Sequence, residues 1–219
     1  MEFEQLLELV GDEPVFESSL LLAGKVNPDI VRQQLTRWTK SGRLYQLRRG
    51  LYALAPPYQK VKPHPFLVAN HMQRASYVSC QSALAYYGLI PDVVQATLSV
   101  STGRPQQWRT ALGDFVYRHI QRPLLGGYRM LPFEPAAGAH RVQEALVAYP
   151  EKALLDLVYL HPGADSTAYL DELRLQNLEK LDLDELQRQA GVFDTPKIRR
   201  AVERIKNQVV REDQEYQVL

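Results

Sequence analysis

Cysteine is almost missing from this chain. Cys80 stands alone among 219 residues, so no internal disulfide forms and a cross-linked scaffold is excluded. No apolar run approaches the roughly 20 residues needed to span a bilayer, and there is no internal repeat or low-complexity tract. Membrane-spanning and solenoid readings drop out, and no membrane partner is expected. The first residues, MEFEQLLELV, are acidic and amphipathic where a signal peptide is basic and then uniformly apolar. A cytoplasmic location is the expectation. Net charge is also nearly absent, with 26 Lys and Arg against 25 Asp and Glu, so the total says nothing about partners. What remains is a 45% hydrophobic chain long enough for one large core or two small ones.

The charge is unevenly placed. Residues 1–24 hold six acids and no bases, whereas residues 25–62 hold nine bases and one acid, net +8. Residues 134–194 reverse the balance, with five bases and twelve acids. A solvated face is the ordinary meaning of a charge run, and the residues in between decide whether it is more. Asn27 and Pro28 read as an N-cap and first-turn proline, and Gly42 as a helix stop. Val31, Leu35 and Trp38 then form one buried stripe, leaving Arg32, Gln33, Thr36, Arg37 and Lys40 outside it. Beyond Gly42, RLYQL and GLYAL are two β-prone runs joined through Arg48, Arg49 and Gly50, a hairpin with a basic tip. Upstream, EFEQLLELV has helical periodicity, and VFESSLLLAG reads as a second short helix closed by Gly24.

Helix, helix, helix, hairpin is the order of a winged helix-turn-helix. In that arrangement the third helix enters a major groove and the hairpin tip follows the flanking backbone. Arg32, Arg37, Lys40, Arg43, Arg48 and Arg49 are the expected phosphate ligands, and Gln33, Thr36 and Arg37 carry donors and acceptors for base edges. The partner expected from this set is double-stranded DNA. A dimerisation or docking module is the competing reading, and it calls for an apolar exposed face that this helix lacks.

APPYQKVKPHP, with four prolines, reads as a linker over residues 55–65, dividing a domain at 1–58 from one at 65–219. The second domain opens with helices in PFLVANHMQRA and SCQSALAYYGLI around a short YVS strand. TLSVST, DFVYRHI, GYRMLPFE and HRVQEALVAYP then suggest three or four strands of one sheet. Pro150 starts a helix, PEKALLDLVYL, and helical segments follow near 166–178, 182–190 and 195–211. The whole is expected to be α+β: an N-terminal winged helix-turn-helix followed by a mixed α+β domain with a helical C-terminal tail.

The runs SGRLYQLRRGLYAL, YVSCQSALAYYGLIP, FVYRHIQRPLLGGYR and YPEKALLDLVYL resemble those of the AbiEi-type antitoxins of bacterial type IV toxin-antitoxin (abortive infection) systems. The resemblance covers most of the chain. It implies a transcriptional regulator that represses its own promoter and opposes a nucleotidyltransferase-like toxin from the same operon.

Catalytic signals are weak. The alternative, a winged-helix nuclease with a metal site in the second domain, needs paired carboxylates followed by Lys, and Asp114 and Glu134 are the sole candidates. Glu151 and Lys152 read as first-turn dipole complementation and a solvated cation. Cys80 reads as core. His64, His71, His119, His140 and His161 share no ligand spacing, and neither GxGxxG nor a P-loop occurs. No catalytic residue, metal or cofactor is therefore expected. Arg118, Arg122 and Arg129 flank a strand-turn-strand run, and three roles stay open for them: a wider DNA footprint, an acid-binding face for the toxin, or pairing with the acids of 134–194.

Overall fold

Reciprocal capping starts the first helix. The Glu2 N–H donates to Gln5 Oε1 at 2.9 Å, opening α1 (Phe3–Val10), whose Phe3, Leu6 and Val10 face inward. The computed structural model describes residues 1–22, 26–134 and 142–217. Its architecture is mixed α+β, with eight α-helices and two sheets among those residues.

The expected second helix is not one. Phe16 and Glu17 form a short strand, β1 (Phe16–Glu17), and Ser18–Leu22 make a 3-10 turn. β1 pairs antiparallel with β3 (Leu51–Leu54), and the Ser18 N–H donates to the Gly50 carbonyl at 2.8 Å. Pairing with the hairpin edge satisfies backbone groups that a lone turn of helix would leave to water. Gly24, the expected stop, lies outside the described residues.

The next helix, α2 (Pro28–Lys40), follows its sequence signals. The Asn27 side chain accepts from the Asp29 N–H at 2.9 Å, Pro28 occupies the first turn, and Gly42 adopts φ +71° just past the end. β2 (Leu44–Arg48) and β3 are joined by the two residues Arg49 and Gly50, and the small sheet runs β1-β3-β2. β3 is buried on both faces. Its Tyr52 and Leu54 belong to a core with Phe3, Leu6, Leu35 and Trp38, while Leu51 and Ala53 join the larger core of the rest of the chain. Strand alternation thus lets one hairpin serve two cores.

The segment 55–65 is anchored. Tyr58 packs edge-on against Phe3, Val61 is buried, and Gln143 accepts from the His64 N–H at 2.7 Å while donating to the Lys62 carbonyl at 2.9 Å.

Among the described residues six strands form the second sheet, the expected YVS strand and the four expected runs joined by one that was not expected, β6: β4 (Ser76–Val78), β5 (Ala96–Ser101), β6 (Gln106–Thr110), β7 (Gly113–His119), β8 (Tyr128–Phe133) and β9 (Gln143–Ala148). Their order is β6-β7-β5-β4-β9-β8, with β4 parallel to β9, β5 parallel to β7 and the other pairs antiparallel. α3 (Pro65–Met72) covers one face, where the Tyr117 hydroxyl donates to the Ala69 carbonyl at 2.8 Å. α5 (Pro150–Leu160) lies on the other face, with α4 (Cys80–Tyr86) beside it. α6 (Thr167–Glu172), α7 (Leu183–Phe193) and α8 (Pro196–Gln217) follow, α7 and α8 packing on α5. Among the described residues no helix is long and apolar enough to cross a membrane.

Candidate nucleic-acid interface

α2 separates two chemistries. Val31, Leu35 and Trp38 are each 2% exposed, with the Trp38 ring edge-on to Phe3 at 5.4 Å. Burying that stripe stabilises the helix by about 1.5 to 3 kcal/mol per side chain. On the other side Arg32, Gln33, Thr36, Arg37 and Lys40 are all exposed and, with Ser41, line one open, shallow concavity. The nearest acid, Asp29, pairs with Arg32 at 2.8 Å, but both side chains are more than 70% exposed, so the pair is weak and readily exchanged for phosphate. The Thr36 hydroxyl donates to the Arg32 carbonyl at 2.8 Å and keeps its oxygen as an acceptor.

The remaining expected phosphate ligands diverge. Arg43 is half-buried, its guanidinium 4.9 Å from the centre of the Phe3 ring. Arg49 is exposed at the hairpin turn and makes no ion pair with a described residue. Arg48 turns back: its guanidinium donates to the Arg49 and His71 carbonyls at 3.1 and 3.0 Å and lies 3.5 Å from Glu17. That carboxylate also receives two 3.0 Å bonds from Arg74, a residue beside the hairpin tip that the sequence reading did not single out. Ser41 was missed as well, although its place one turn after Arg37 is a usable signal. Gln34 has a positioning role, its amide donating to the Met1 carbonyl at 2.6 Å and fixing α1 against α2.

Arg74 holds the Glu17 carboxyl below its usual 4.5, opposed by burial and aided by Arg48 and Ser19. Glu17 therefore contributes stability that is present above that value and lost as pH falls through the lower, folded value. In a Glu17→Gln variant the melting temperature is expected to fall less steeply between about pH 5 and about pH 3 than in the wild-type chain. Parallel curves would mean that the Glu17 contacts do not hold the hairpin tip.

A second polar group is buried under the large sheet. Glu151 and Lys152, expected at the surface, are each 4% exposed, and Asp156 is fully buried. The Glu151 carboxylate accepts from the Asp182 N–H at 2.9 Å, tying the start of α5 to the start of α7. Lys152 Nζ donates to Asp156 Oδ1 and, at 2.8 Å, to the Tyr77 hydroxyl. Tyr77 and Ser79 donate to Asp156 Oδ2 at 2.9 and 2.7 Å. Burial pushes the Asp156 carboxyl above its usual range against the pull of Lys152, and raises the Tyr77 hydroxyl and Cys80 thiol. Every charge here has partners, which is the condition for keeping ions in a core.

Asp114 and Glu134, the acids weighed for a metal site, are far apart in the sheet. Asp114 lies on β7 and Glu134 follows β8, with β5, β4 and β9 between, so at about 4.8 Å per strand they share no ion. No group of three or more His, Cys, Asp or Glu is placed to hold a metal among the described residues. Arg118 and Arg122 are exposed and make no ion pair with a described residue, whereas the Arg129 guanidinium stacks over Tyr149 at 5.2 Å.

No protein-family model matches this chain, and no curated protein matches it. The geometry of the site is thus its own best guide.

Proposed function

We propose that this protein binds duplex DNA through α2 as a transcriptional autorepressor and also serves as an antitoxin. The observation that carries the DNA-binding part is the single exposed face of α2, on which Arg32, Gln33, Thr36, Arg37 and Lys40 converge around one concavity. An α-helix is about 10 to 12 Å across with its side chains and fits a major groove about 12 Å wide. The sequence of helix, strand, 3-10 turn, helix and hairpin supports a winged helix-turn-helix with α2 as its recognition helix. Arg32, Arg37 and Lys40 then neutralise phosphates, Gln33 and Thr36 face base edges, and Arg49 reaches the backbone from the hairpin turn. Arg43 and Arg48 act as positioning residues, one braced on Phe3 and the other on α3.

The promoter of its own operon as target, and a nucleotidyltransferase-like toxin as second partner, rest on the resemblance to the AbiEi-type antitoxins. Gln33→Ala is the discriminating change. It is expected to weaken binding to the protein's own promoter by about 1 to 3 kcal/mol and to leave a random duplex nearly unaffected, measured by fluorescence anisotropy. Equal losses on both duplexes would place Gln33 on the backbone and remove α2 as the reader of sequence. Co-expression with the neighbouring reading frame tests the antitoxin part, which fails if growth is not restored.

A further inference from the structure

A cavity of about 120 Å³ lies away from α2, where the chain turns into β8 and meets α5 and α7. Leu124, Gly127, Lys152, Gln189, Val192 and Phe193 line it, and Val192, 56% exposed, marks its solvent side. Most of this wall is apolar, being built from Leu124, Val192, the Phe193 ring and the Lys152 methylenes. Its polar groups are Arg188, whose guanidinium is held by Glu185, and Gln189, which is 5% exposed and whose Oε1 has no hydrogen-bond partner.

The orientation of that amide is enforced. Gln189 Nε2 donates to Glu185 Oε1 at 2.5 Å, and a hydrogen bond from Arg188, with a second from Gln189, holds the Glu185 carboxyl below its usual value. Glu185 is therefore an acceptor at neutral pH, and flipping the amide would set two oxygens against each other. Gln189 Oε1 accordingly faces Gly127, where a Cβ would stand 3.0 Å from it and 2.9 Å from Lys152 Cγ. Gly127 has φ +69°, so a side chain is excluded there on both counts. The Lys152 ammonium does not reach this oxygen, because it is held by Asp156 and Tyr77 and lies 4.9 Å from the centre of the Phe193 ring.

We infer that this cavity is a binding site for a small aromatic molecule bearing one hydrogen-bond donor, of the phenol or azole N–H kind. The volume suits a single ring, since an apolar cavity of about 150 Å³ accepts benzene. Phe193 and the aliphatic wall take its faces. The donor completes the buried acceptor that Gln189 leaves open beside the cavity, relieving its desolvation cost.

Nuclear magnetic resonance of the full chain, labelled at the Val and Leu methyl groups and titrated with phenol and with toluene, tests the site. Phenol is expected to shift the Val192 and Leu124 methyls saturably while leaving those of Val31 and Leu35, in the other core, unmoved. Gln189→Met keeps the bulk and removes the acceptor. It is expected to weaken phenol relative to toluene by about tenfold. An unchanged ratio in the folded variant overturns the proposal. If the variant does not fold, the wild-type titration decides: phenol must shift Val192 and Leu124 saturably, and its failure to do so overturns the site.

Discussion

Asp156→Ala is expected to remove about 3 to 5 kcal/mol of folding stability, a large share of what a domain of ordinary stability holds. Asp156 is fully buried and accepts from Lys152, Tyr77 and Ser79. Truncating it leaves an ammonium in the core with only the Tyr77 hydroxyl to receive it, and leaves the Ser79 hydroxyl unpaired. The cost comes from these stranded groups more than from the lost attraction. A double change, Lys152→Met with Asp156→Leu, strands no charge and is expected to be less damaging than Asp156→Ala alone. Urea unfolding of the three proteins measures both statements. A loss below about 1 kcal/mol for the single change would contradict the buried arrangement.

These residues show where sequence reading reaches its limit. The start of α5 gives a locally sound reading of Glu151 as a dipole complement and Lys152 as a solvated cation. Their burial is decided by partners far along the chain, Tyr77 lying 75 residues before Lys152 and Asp182 31 residues after Glu151. The same applies to VFESSLLLAG, whose residues suit a helix but whose Phe16 and Glu17 meet the unpaired edge of β3. Arg48 looks like a free cation at a turn until α3 brings the His71 carbonyl to it. β6 escaped notice because QQWRT is polar and partly exposed along its length, as an edge strand can be. α2 was legible because its determinants are local: the Asn27 cap, the first-turn proline, the stripe of Val31, Leu35 and Trp38, and the stop at Gly42. Its exposed face follows from the same periodicity, which is why Arg32, Gln33, Thr36, Arg37 and Lys40 emerge together while Arg43 and Arg48 do not join them.

Changing Arg32, Arg37 and Lys40 together to Ala is expected to weaken binding to any duplex by roughly 100-fold at moderate salt, taking about 1 kcal/mol per lost phosphate contact. Folding should be unaffected, because all three side chains are exposed and the only ion pair among them with a described residue, Arg32 with Asp29, is on the surface. Arg48→Ala should behave differently, lowering stability through the loss of its contacts with His71 and Glu17 and changing the salt dependence of DNA binding little.

The most direct test is the salt dependence of duplex binding by the full-length chain, compared with that of the triple variant. If α2 enters the groove, the logarithm of the wild-type binding constant falls linearly with the logarithm of salt concentration. The triple change then reduces the magnitude of that slope by about 2.7, at about 0.9 per phosphate contact. A slope that is the same in both proteins would contradict the assignment of the α2 face to DNA.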